Sequence, residues 1–130
     1  MRTPFGAAAL AAVAAATAAC GSTTTDPIMC TAEARPGLGV TVRDSATGKP
    51  VEVAGTVVTA RADAFADTAR YGYAGTDGAV FSLAYERAGT YTVRVERAGY
   101  RAWERPGVAV TSDVCHVRTT AVTALLQPAP

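Results

Sequence analysis

The chain is poor in the residues that most site chemistry requires: its 130 residues hold one histidine, one tryptophan and three cysteines, and Lys49 is the only lysine. A lone His116 argues against a zinc centre, which takes about four ligands, usually several of them His or Cys. The HxxE pattern of zinc carboxypeptidases is also missing. Neither sign of charge is in excess, with 12 basic against 11 acidic residues, so no basic footprint for nucleic acid exists. No apolar run reaches the roughly 20 residues of a membrane-spanning helix. The carboxylates (Asp44, Glu52, Asp63, Asp67, Asp77, Glu86, Glu96, Glu104, Asp113) are scattered through turns and polar faces, with no pair spaced for acid–base work. These absences predict a protein without catalytic residues, bound metal or cofactor.

The N-terminus has a definite layout. Arg2 precedes an uncharged stretch over 5–19 (FGAAALAAVAAATAA) that ends in small residues just before Cys20, the order of a cleaved export signal. Thr17-Ala18-Ala19-Cys20 resembles the lipobox of bacterial lipoproteins, in which the cysteine is acylated and becomes the new N-terminus. Thr17 stands where that pattern usually has Leu. The resemblance implies a leader over 1–19, lipidation at Cys20 and attachment to a membrane through the lipid. Ordinary cleavage, giving a soluble secreted protein, is the alternative. Residues 20–29 are polar at first (Gly21-Ser22-Thr23-Thr24-Thr25-Asp26-Pro27) and read as a flexible tether. Gly21, rather than Asp, follows Cys20, which by lipoprotein sorting patterns favours the outer membrane in an organism that has one.

From Leu38 the chain reads as short alternating runs between Gly, Pro and Asp turns, and no segment sustains a helical period. Leu38, Val40 and Val42 alternate with Gly39, Thr41 and Arg43. A second strand is expected over about 51–61 with an irregularity at Gly55, and a helical turn or loop over 62–68. Phe81, Leu83 and Tyr85 form one period-two run and Tyr91, Val93 and Val95 the next; the short turn between them predicts antiparallel neighbours. A segment begins at Gly99-Tyr100 and is broken at Pro106-Gly107. A last strand is expected over about 114–126. Seven short strands fit an all-β, antiparallel, Greek-key sandwich.

The succession Val42-Arg43-Asp44, Thr47-Gly48-Lys49-Pro50-Val51, Thr76-Asp77-Gly78 with Phe81, Gly89-Thr90-Tyr91 and Gly99-Tyr100 resembles the carboxypeptidase regulatory-like domain. That resemblance implies a transthyretin-like sandwich over 30–128 and an accessory module with no active site to carry over.

Lipid on Cys20 would leave Cys30 and Cys115 as the only thiols able to pair, and an exported chain meets an oxidising compartment. A Cys30–Cys115 disulfide joining the start of the domain to its last strand is therefore expected over two free thiols. Strand alternation would turn His116 away from Cys115, toward solvent. Tyr71, Tyr73 and Trp103 lie in less regular segments and are candidates for an exposed aromatic platform; the alternative for Trp103 is to cover an edge of the core. The function expected is a non-catalytic envelope lipoprotein displaying an interaction module for an envelope protein or glycan. Its alternatives are a secreted carbohydrate-binding module and an accessory subunit of a hydrolase.

Overall fold

A computed structural model describes residues 26–130. Arg2, the apolar stretch, the lipobox and Cys20 lie outside the described residues. The chain is all-β, in two sheets. Its strands are β1 (Leu38–Asp44), β2 (Thr56–Ala62), β3 (Phe65–Ala69), β4 (Tyr73–Gly75), β5 (Gly78–Leu83), β6 (Gly89–Arg97), β7 (Trp103–Ser112), β8 (Val117–Arg118) and β9 (Thr120–Leu126). One sheet has the order β4-β5-β1-β9 and the other β3-β2-β6-β7-β8. Among the described residues nine strands rather than seven are present, and β1 pairs with β9 in parallel, so the first sheet is mixed rather than wholly antiparallel.

Alternation builds the core between the sheets. Leu38, Val40 and Val42 of β1, Phe81 and Leu83 of β5, and Val122, Ala124 and Leu126 of β9 are buried from one side. Val58 and Ala60 of β2, Tyr91, Val93 and Val95 of β6, and Val108 and Val110 of β7 meet them from the other. Period-two side chains require this division, since each strand offers one face to the core and one to solvent. Buried Tyr91 keeps its hydroxyl bonded by donating to the Arg87 carbonyl at 3.0 Å. Two polar links close the flanks of the sandwich. The Ala84 amide donates to Asp67 Oδ2 at 2.8 Å, and the Thr120 hydroxyl donates to the Ala109 carbonyl at 2.7 Å.

Several local expectations are corrected. The runs around Phe81 and Tyr91 are not neighbours: β5 pairs with β1 and β4, β6 with β2 and β7. Residues 84–88 cross from one layer to the other, with Ala84 and Glu86 at positive φ (54° and 49°). The second strand begins only at Thr56. Before it, the Arg97 guanidinium donates to the carbonyls of Glu52 (2.8 Å) and Ala54 (2.6 Å) and to the Thr56 hydroxyl (3.0 Å), which holds 52–56 as a loop. Residues 62–65 close a β-hairpin, not a helical turn, with Asp63 at φ 48°. Pro106-Gly107 does not end its strand. β7 continues through it, the register with β6 shifting between Tyr91 and Val93, while Gly107 takes φ 70°. The final expected strand divides into β8 and β9, which belong to different sheets.

Candidate functional site

One pole of the sandwich gathers four segments that are far apart in sequence: residues 28–36, the 84–88 crossing, the turn after β7 and the start of β8. Cys30 and Cys115 are joined by a disulfide with Cα atoms 5.3 Å apart, within the ordinary span of such bridges. Cys115 lies in the turn between β7 and β8, not in the last strand. Asp113 builds that turn: its Oδ1 accepts the amides of Cys115 (2.9 Å) and His116 (3.0 Å), and its own amide donates to the His116 carbonyl. The two side-chain bonds hold the Asp113 carboxyl below the usual carboxylate range, the His116 amide being the larger influence.

His116 is not solvent-facing. Its side chain is only 10% exposed. Nδ1 lies 2.9 Å from Glu86 Oε1 and Nε2 2.9 Å from the Thr31 hydroxyl. Glu86 also accepts the Arg35 amide at 2.7 Å and the Val117 amide at 3.4 Å. The Arg35 amide is the foremost cause that lowers the Glu86 pKa; partial desolvation opposes it, and His116 and Val117 add to the lowering. An ionised Glu86 only accepts hydrogen bonds, so Nδ1 carries a proton. In the neutral imidazole Nε2 is then the acceptor of the Thr31 hydroxyl proton.

Hydroxyl, imidazole and carboxylate stand in the order that activates nucleophiles. Here the same carboxylate is shared with two main-chain amides, and each ring nitrogen bonds a segment distant in sequence. The network pins residues 31–35 onto the sandwich, next to the disulfide. Sequence reasoning missed Thr31 and Glu86, whose partners lie 85 and 30 positions from them. Among the described residues, no group of three or more His, Cys, Asp or Glu side chains is placed to hold a metal ion.

The three aromatic candidates are not brought together. Tyr73 sits on β4, the outer strand at one edge of its sheet, and Tyr71 just precedes it; both are exposed. Trp103 opens β7, packs partly against the core and borders a shallow depression with Leu125 and Gln127, at the β9 edge. The platform is thus split between opposite edges.

The two outer faces of the sandwich differ in chemistry. Across the β4-β5-β1-β9 sheet, Tyr73, Val80, Thr41 and Thr123 stand in one register row, and Ser82, Gly39 and Ala121 in the next. None of these carries a charge; Arg43, in the row beyond Thr41 on the same face, donates to the Gly48 carbonyl at 2.9 and 2.6 Å. On the other outer face Arg94 of β6 bonds Glu96 at 3.0 Å and Glu104 of β7 at 3.4 Å, exposed pairs that each contribute no more than about 1 kcal/mol. Comparison with known proteins finds no match among family models, curated proteins or solved structures.

Proposed function

We propose that this chain is an exported lipoprotein, anchored by lipid on Cys20, whose sandwich is an interaction module of the cell envelope that performs no catalysis. The contrast between the two outer faces carries the interaction reading. A regular face on which Arg43 is the one strand charge, its guanidinium turned to the Gly48 carbonyl, suits a largely neutral partner protein, whereas the opposite face carries the Arg94, Glu96 and Glu104 cluster and Arg61. The pairing of Cys30 with Cys115 supports export, since such bridges persist in oxidising compartments. It accounts for two of the three cysteines and leaves Cys20 to the lipid. The ordered motifs from Val42 to Tyr100 support kinship with the carboxypeptidase regulatory-like domain, a module that serves in this capacity.

A photo-crosslinking residue at Thr123, on the largely neutral face, tests the reading in intact cells. It is expected to capture one recurrent envelope protein, while the same residue at Glu96 captures none. Equal capture from both faces, or none from either, overturns the choice of face. The mass of the mature N-terminus tests the anchor. With Tyr71 and Tyr73 separated from Trp103, the glycan-binding alternative loses its platform; polysaccharide titration followed by Trp103 fluorescence is expected to produce no shift.

A further inference from the structure

We infer that the disulfide pole of the sandwich is a bilayer-contacting surface, seated at the headgroup–acyl boundary with Met29 and Val114 as its innermost side chains. This deepens the proposed function and rests on its lipid anchor. Seven large hydrophobic residues are exposed among those described, and four lie at this pole: Ile28 (66%), Met29 (87%), Tyr85 (53%) and Val114 (73%). Their clustering follows from bonds already described. Met29 adjoins Cys30 and Val114 adjoins Cys115, so the bridge brings the two segments that carry them to one pole. Tyr85 adjoins Glu86, which bonds His116, the residue next to Cys115.

Val114 is the least expected of the four, since a turn tip offers it no core to join. Apolar side chains grouped on one exposed pole mark a contact surface, and tyrosine is favoured where one end of a ring is apolar and the other wet. The position of the anchor selects the occupant. Cys30 is only ten positions after Cys20, a reach of at most about 35 Å. The acyl chains therefore keep this pole, and not the far one, near the membrane, at a local concentration on the order of millimolar. Weak individual insertions suffice under such tethering. Glu33, Glu86 and Asp113 balance Arg35, Arg87 and Arg118 here, so the contact is apolar rather than a basic patch reading anionic lipid. It is expected to be equally strong at low and high salt.

The test uses the acylated mature chain in phosphatidylcholine vesicles, with lipids brominated along the acyl chains as quenchers. Trp103 is a native control at the opposite end of β7, about 30 Å from Ser112 at 3.3 Å per residue, and Val114→Trp adds a reporter on the pole. Brominated lipid is expected to abolish much of the emission added by Val114→Trp and to leave the wild-type Trp103 emission unchanged. Vesicle-bound chain whose added emission is the same in brominated and plain lipid overturns the inference while the anchor stands. A mature N-terminus without acyl chains on Cys20 overturns the anchor and the inference with it. Met29→Trp, in an extended stretch outside the sandwich, is the second reporter should Val114→Trp disturb the turn.

Discussion

Glu86 accepts from Arg35, His116 and Val117 at once, so its ionisation adds to the hold on the N-terminal stretch that the disulfide and the Glu86 amide's bond to the Arg35 carbonyl already provide. Its pKa is lowered in the folded chain. The stabilisation is therefore complete above the ordinary glutamate value, about 4.3, and is lost as pH falls through the lower folded value. The Arg35 amide proton reports this directly: its chemical shift is expected to move in the acid limb, below pH 4.3. In Glu86→Ala that movement disappears, and the Arg35 amide is already poorly protected from exchange at neutral pH. Nothing local in the sequence singles out Glu86; it reads as one more carboxylate in a turn. Tyr91 is different, since its place in a period-two run announces a buried ring. What the run does not disclose is the hydroxyl's partner, the Arg87 carbonyl. Tyr91→Phe is expected to lower stability by about 1 kcal/mol in urea unfolding, the net worth of one hydrogen bond.

At the scale of elements, alternation identified faces but not sheets. Leu38, Val40 and Val42 were legible as the buried side of a strand, as were Phe81 with Leu83 and Tyr91 with Val95, because burial on one face is written every second residue. The same pattern is silent on which strand lies alongside, and the five residues between Leu83 and Gly89 look like a hairpin while serving as a crossing between layers. Thr119 similarly separates β8 from β9 with no turn residue to mark the change of sheet. Pro106-Gly107 misled in the opposite sense, since a strong turn signal is absorbed as an irregularity inside β7. Gly107 is held at φ 70°, and a Cβ there would meet nothing within 4 Å. The cost of Gly107→Ala is therefore conformational alone, about 1–2 kcal/mol. Thermal unfolding of that variant should show this loss, with the β6–β7 pairing preserved in its amide exchange pattern.

For the whole molecule, the disulfide joins the first described segment to the last third of the chain. Its ends are 85 positions apart, and excluding the unfolded conformations in which they separate is worth about 4–5 kcal/mol in the chain-entropy account. A domain of this size is stable by roughly 5–15 kcal/mol in all. Opening the bridge therefore removes between about a third and nearly all of that stability. Cys30→Ala and Cys115→Ala are each expected to lower the melting temperature to that of the wild type in reductant, and reductant should not lower either variant further. The polar network beside the bridge makes a separable contribution. Glu86→Ala in the oxidised protein should loosen residues 31–34 while Cys30 and the Arg35 carbonyl remain attached, so the amides of that segment exchange faster without a comparable fall in melting temperature. A Glu86→Ala variant that melts as early as Cys115→Ala would mean that the two devices act as one, and the disulfide end of the sandwich would then be its point of failure rather than its brace.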